Sequence, residues 1–295
     1  MTTTASEGAL RRRRAPLARR AWLRLTLLLT PPMLWLGLAY LGALAALFVT
    51  ALWDQDAFTG ETIRHWNLDN FRLLWETDVY RTIALRTLWI AVLVTVVDIV
   101  IAFPIALYMA KVASPRLQKI LVVAVLTPLW ASYLVKAYAW RIMLSENGIV
   151  HDVGAALGID TPGYGLTAVV ITLAYLWLPF MILPIYAGLE RLPDSMLEAS
   201  ADLGAKTGHS LRRVVFPMVF PAVVAGSIFT FSLSLGDYIT VRIVGGANQM
   251  LGNVVYDNIG AANNLPFAAA VATIPVAIML VYLTAARRAG ALENV

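Results

Sequence analysis

Glu198-Ala199-Ser200-Ala201-Asp202-Leu203-Gly204, followed after nine residues by Val214-Val215-Phe216-Pro217, is a short polar passage wedged between two strongly apolar stretches. At about 100° per residue, Asp194, Glu198 and Asp202 form one acidic stripe, while Met196, Ala199, Ser200 and Leu203 gather on the opposite side. Pro193 suits a first helical turn, and Gly204 suits the left-handed position just past a helix end. Thr207 suits the cap of a second short helix running through Arg212 and Arg213, which Pro217 is expected to interrupt or kink. Such a helix sets one face against the body of the protein and offers carboxylates to a partner. The plainer alternative is a solvated charged loop.

The rest of the chain decides between these readings. With 59% apolar and 14% charged residues and a mean hydropathy of +0.71, the chain is far from the soluble mix of roughly 25% charged. A bilayer core about 30 Å thick needs about 20 apolar residues per helix. Six stretches qualify, near 26–52, 83–109, 120–144, 166–188, 218–241 and 265–286. None alternates polar with apolar as a membrane barrel strand does. The expected class is all-α and polytopic, with six transmembrane helices.

Basic residues set the orientation. Arg11 to Arg14, Arg19, Arg20, Arg24, Lys111, Arg116, Lys119, Arg191, Lys206, Arg212, Arg213, Arg287 and Arg288 fall on one side. The other side has Arg64, Arg72, Arg81 and the boundary residues Arg86 and Arg242, with no Lys or Arg over 145–165 or 244–264. That asymmetry puts both termini and the acidic-striped helix in the cytoplasm. The expected organisation is a basic segment 1–25, a first span with its outside loop over 26–81, a five-helix core over 82–288 containing the 190–217 passage, and a cytoplasmic tail 289–295. The Arg-rich start precedes an apolar run longer than the 7–15-residue core of a signal peptide, and reads as a retained first helix.

The loops carry structure of their own. Asn70-Phe71-Arg72-Leu73-Leu74-Trp75 is expected to lie as a short helix at the membrane interface, and the loops 145–165 and 245–265 are rich in turn signals such as Asn147-Gly148 and Gly245-Gly246. Net charge is +5, but the basic residues are scattered along loop ends and form no nucleic-acid module. The absence of cysteine excludes disulfides, Cys-ligated zinc and thiol chemistry. His65, His151 and His209 are too dispersed for a metal site, and no phosphate-binding G-x-x-x-x-G-K-S/T loop is present. No catalytic residue, metal or cofactor is expected, and any nucleotide hydrolysis belongs to another chain.

Charges inside the spans cost about 2.5–3.5 kcal/mol each on insertion scales, so Asp98, Lys136, Arg141, Asp237 and Arg242 mark candidate pathway or pairing positions. An Asp98–Lys136 ion pair is the structural alternative for those two, and snorkelling to the interface is the preferred reading of Arg242. Asp237 is too short to snorkel and sits in the polar run Ser232-Leu233-Ser234-Leu235-Gly236-Asp237-Tyr238. Tyr238, Trp130, Tyr133 and Trp140 add aromatic faces that suit an ammonium group. Asp237, Tyr238, Asp98, Trp130 and Tyr133 are the candidate translocation-path residues.

The spacing of Glu198-Ala199-Ser200, Gly204 and Val214-Val215-Phe216-Pro217 resembles the cytoplasmic EAA loop of permease subunits in binding-protein-dependent ABC importers. The sequence departs from that pattern at Ser200, Val214 and Phe216, all mild changes of size. Phe103-Pro104-Ile105-Ala106-Leu107-Tyr108-Met109-Ala110-Lys111 and Leu144-Ser145-Glu146-Asn147-Gly148-Ile149 resemble corresponding parts of the same family, and Leu235-Gly236-Asp237-Tyr238-Ile239-Thr240 with Gly245-Gly246 resembles the spermidine/putrescine-type branch. The likeness covers about Asn67 to Arg288.

The resemblance implies the type I ABC importer permease fold, in the inner membrane of a bacterium. Its expected partners are ATP-binding subunits, a second permease subunit forming a heterodimer, and an extracytoplasmic solute-binding protein. Glu198, Ala199, Ser200 and Gly204 would carry coupling to the ATPase, and the solute would be a polyamine or related small organic cation. The competing readings are an ion-coupled secondary transporter using Asp98 or Asp237, and an importer permease for another small solute.

Overall fold

A computed structural model describes residues 21–56, 58–158 and 161–288, with side chains from Leu25 onward. The basic residues Arg11 to Arg14, Arg19 and Arg20, the side chain of Arg24 and the tail 289–295 lie outside the described residues. The chain divides into two compact units between Val49 and Thr50. The first contributes most of α1 (Ala21–Ala51), a 31-residue helix that continues through Pro31 and Pro32. At about 1.5 Å per residue it is long enough to cross a bilayer core.

The second unit opens with a small antiparallel ribbon, β1 (Asp54–Gln55) against β2 (Thr62–Ile63), with Asp54 opposite Ile63. Its turn is held by Asp56, whose carboxylate accepts the backbone N–H groups of Phe58 and Thr59 at 2.8 Å each. Those bonds favour the charged form and hold the carboxyl below its ordinary range. The expected interfacial helix follows as α2 (Asp69–Glu76), pinned by Asn70, which donates to the carbonyls of Ala51 and Trp53 at 3.1 and 2.8 Å.

The order then runs α3 (Asp78–Leu107), a π-helical turn (Tyr108–Val112), α4 (Pro115–Trp130), α5 (Tyr133–Met143), α6 (Ile149–Leu157), α7 (Leu166–Glu190), α8 (Asp194–Asp202), α9 (Thr207–Ser210), a second π-helical turn (Leu211–Val215), α10 (Phe216–Leu235), α11 (Ile239–Val244), α12 (Leu251–Gly260) and α13 (Leu265–Arg288). Among the described residues, five helical stretches are long and apolar enough to cross a membrane, and α4 with α5 makes a sixth if its two arms are counted together. The fold is all-α apart from the ribbon.

Helices α3, α7 and α10 pack on one another and form the core. Ile90, Val94, Leu173, Leu176 and Val241 fill one end of the seam, and Ala106, Met109, Met181, Ile185 and Val219 fill the other. Gly188 permits a close approach of α7 to α10, since a Cβ there would lie 2.6 Å from the Ala222 Cβ.

Three expectations are corrected. The stretch 120–144 is not one straight helix but two arms bent by 93°, because Ala131 and Ser132 adopt extended backbone between them. The span drawn over 218–241 stops at Leu235, and Gly236 and Asp237 turn the chain before α11 begins. Pro217 does not interrupt its helix: the preceding π turn runs directly into α10, and the chain stays helical from Thr207 to Leu235.

Candidate functional site

The quoted passage forms a helix–turn–helix between two spans. Gly204 adopts φ +76, with its N–H donating to the Ala201 carbonyl (2.8 Å) and the Ala205 N–H reaching the Ser200 carbonyl (3.1 Å). This is the hydrogen-bond pairing of a Schellman turn, and it needs a left-handed residue that glycine supplies without strain. Ser200 and Ser210 share a 2.7 Å hydroxyl hydrogen bond that closes α8 on α9. A cleft of about 540 Å³ opens beside the turn, lined by Ser200, Leu203, Gly204, Lys206, His209 and Arg213 among others.

The faces of α8 differ from the helical-wheel expectation. Leu197 packs against the core and Ser200 is half-buried, whereas Met196 and Leu203 are exposed, Leu203 to 89%. The reason is an anchor outside the local sequence. Lys111, at the end of the π turn after α3, donates to the Leu192 carbonyl at 2.6 Å and to Asp194 Oδ1 at 2.7 Å. Its side chain is 13% exposed, so this is a sheltered charge-assisted contact that fixes the roll of α8. In the sequence Lys111 stands as a topology charge and as the end of the Phe103–Lys111 run, with nothing to mark it as the anchor of α8. Ala199 and Glu198 are exposed, and among the described residues the Glu198 carboxylate makes no hydrogen bond or ion pair.

Beyond the far end of α10, Asp237, Thr240 and Tyr133 are engaged with one another, whereas the buried Ser234 hydroxyl has no partner. Asp237 is 7% exposed. Its Oδ1 accepts the Thr240 N–H at 2.8 Å, capping α11, and its Oδ2 accepts Thr240 Oγ1 at 3.3 Å and the Tyr133 hydroxyl. Tyr133 also lies 2.5 Å from Thr240 Oγ1, and its ring stacks on Trp177 with centroids 5.8 Å apart. The structure therefore unites Asp237 and Tyr133 with Thr240, a residue the sequence reading had not singled out.

The remaining candidates scatter. Trp130 is 87% exposed at the end of α4. Trp140 packs against Tyr175, with ring centroids 5.5 Å apart. Asp98 is completely buried, and neither carboxyl oxygen has a partner, so the Asp98–Lys136 pair does not form. Arg141 sits over the Tyr164 ring at 5.6 Å and reaches the Ile243 carbonyl at 3.4 Å. Tyr238 stacks on Tyr256, with centroids 4.8 Å apart and planes 19° from parallel. Arg242 does not simply snorkel: its guanidinium lies 4.9 Å from the Tyr256 ring centroid and 3.1 Å from Asp257 Oδ1. Tyr256 and Asp257 carried no sequence signal, because α12 lies in what read as a turn-rich loop. Among the described residues, no three His, Cys, Asp or Glu side chains gather to hold a metal ion.

Comparison with known proteins accounts for this architecture. Residues 86–289 match the family described as the binding-protein-dependent transport system inner membrane component. The chain is 41% identical over 289 residues to the inner membrane ABC transporter permease protein YdcU of Escherichia coli (strain K12), covering 92% of this chain and 91% of that one. It is 32% identical over 229 residues to the spermidine/putrescine transport system permease protein PotB of the same strain, covering 75% and 82%. A solved bacterial ABC transporter involved in the import of the acidic polysaccharide alginate shares the fold, with a TM-score of 0.63 at 17% identity over 92% of this chain and 96% of its own. A polytopic helical bundle carrying the α8–α9 passage, matched over most of its length, is thus a member of the binding-protein-dependent transport system inner membrane component family, an ABC importer permease.

Proposed function

We propose that this permease imports a polyamine or related small organic cation, driven by ATP hydrolysis in a partner subunit. The observation that carries the coupling half of this reading is the α8–α9 passage: Glu198 is exposed and free, and Gly204 holds a left-handed turn beside an open cleft. A surface with uncommitted charge and a rigid bend suits a partner that pushes on it as a body. Glu198, Ala199, Ser200 and Gly204 are the contact residues, and ATP-driven closure of the partner moves α8 together with α3 through Lys111.

The chain itself carries no nucleotide-binding loop, so two ATP-binding subunits, a second and different permease, and an extracytoplasmic solute-binding protein complete the machine. Both termini and α8 face the cytoplasm, in keeping with the basic residues around them. The native chain lacks cysteine, so a single cysteine introduced at position 200 reports the side directly. It is expected to react with a membrane-impermeant maleimide only after cells are opened, and labelling in intact cells overturns the topology.

The cationic solute is supported by the likeness to PotB, named for spermidine and putrescine, and by the carboxylate and aromatic groups beyond α10. The test is uptake of labelled putrescine and spermidine by the complex reconstituted in vesicles with its binding protein. ATP-dependent accumulation of either is expected. Transport of only neutral or anionic solutes removes the polyamine reading and leaves the permease assignment standing.

A further inference from the structure

At the end of α10 remote from the α8–α9 turn, the protein holds a cation of its own against a surface built from two rings and a carboxylate. Tyr238 and Tyr256 stack on each other, Asp257 follows on α12, and the Arg242 guanidinium covers the Tyr256 face while pairing with Asp257. None of these groups is sealed. The Arg242 and Asp257 side chains are 57% and 40% exposed, and Tyr256 is 46% exposed. Asp257 also lines a cleft of about 330 Å³ bounded by Thr77, Tyr80, Gln249 and Asn258. Arg86 donates to the carbonyl of Gln249, one of the residues bounding that cleft, at 3.5 Å.

A ring face with a carboxylate at its edge is the chemistry that binds an alkylammonium group, and a guanidinium satisfies it in the same way. We propose that Tyr238, Tyr256 and Asp257 form a seat for the ammonium group of the cationic solute, and that Arg242 is a tethered competitor that fills the seat when solute is absent. This rests on the cationic-solute reading above. The contacts holding Arg242 are of the weak kind: an exposed ion pair and an exposed cation–π contact together favour the filled seat by about three- to thirtyfold. A second cation exchanges with it readily, whereas a buried pair would lock the seat shut.

The seat and a mere brace between α11 and α12 make opposite forecasts, because two substitutions break the same ion pair from opposite sides. Arg242→Gln removes the competitor and leaves the carboxylate, so the purified permease–ATPase complex without binding protein should bind labelled putrescine about tenfold more tightly in equilibrium dialysis. Asp257→Asn removes the carboxylate and should weaken binding about tenfold or more, and Tyr256→Leu should also weaken it. Arg242→Lys restores a tethered cation and should return binding to near the wild-type value. Thermal unfolding of each variant complex establishes that the fold survives. If Arg242→Gln and Asp257→Asn shift putrescine binding in the same direction, or neither shifts it, the seat is overturned while cation import stands. If wild-type vesicles import no organic cation at all, the solute reading falls and the seat falls with it.

Discussion

The turn at Gly204 and the turn at Asp237 both interrupt apolar helices with a short polar run carrying a carboxylate. They use those groups in opposite ways. At Gly204 the bend is made by backbone hydrogen bonds with the Ser200–Ser210 hydroxyl contact beside them, which leaves the Glu198 carboxylate exposed and uncommitted. At Asp237 the bend is made by the carboxylate itself, which takes hydrogen bonds from Thr240 and Tyr133 and is buried by them. The first leaves a carboxylate idle on the surface. The second commits its carboxylate internally, where burial without a hydrogen-bond partner is costly.

The sharpest way to break this contrast is at the glycine. Nothing lies within 4 Å of a Cβ built on Gly204, so substitution meets no clash and acts only through the positive φ. Gly204→Val is expected to reduce uptake and solute-stimulated ATP hydrolysis at least tenfold while the chain still inserts, because a β-branched residue opposes the left-handed conformation by about 1–2 kcal/mol and distorts the contact surface. Gly204→Asn, which tolerates that conformation, should retain most activity. Wild-type coupling in the valine variant, measured in reconstituted vesicles, returns the passage to an ordinary solvated loop.

A smaller effect of a different kind is expected at the other turn. Tyr133→Phe removes one donor from a buried carboxylate and should destabilise the complex by about 1–3 kcal/mol, read from denaturant or thermal unfolding in detergent. The ATP consumed per solute should stay unchanged in the survivors. A shift in that ratio without loss of stability makes Tyr133 part of the solute path instead of a brace.

The least effect belongs to Ser200→Ala. It deletes the 2.7 Å contact with Ser210, a half-buried hydroxyl pair contributing about 0.5–1.5 kcal/mol, and leaves the Schellman bonds intact. Uptake close to the wild-type level is expected, because the backbone bonds still hold the bend. Loss comparable to the valine variant would mean that side chains, and not backbone, hold the bend.

Much of this is legible in the sequence. Apolar length locates the ends of α3, α7 and α13 to within about five residues, and Gly204 announces its own φ because only a few residue types rest there. The bend at Ala131–Ser132 was not legible, since hydropathy registers composition and is blind to direction. The roll of α8 was missed because a wheel weighs only its own residues, and the deciding contact comes from Lys111, 83 positions earlier than Asp194. Asp98 and Asp237 look alike in sequence, each a lone acid near apolar helix. One finds no partner; the other takes three hydrogen bonds, two from the local Thr240 and one from Tyr133, 104 positions away, which only the fold brings beside it.

The two wide turns that flank α8, Tyr108–Val112 and Leu211–Val215, bear on how the chain tolerates change in length. Each carries one residue more than the α-helical ladder requires. Deleting a residue from either lets ordinary i to i+4 bonds close, so the span itself survives. Because the wide turn already absorbs the extra residue, the helix on its far side keeps nearly its original facing. The first turn carries Lys111, which reaches Leu192 and Asp194; the second joins α9 to α10. The pair works as slack. A single residue can be lost at either turn without re-aiming the spans, whereas the same deletion within an α-helical stretch turns everything beyond it by about 100°.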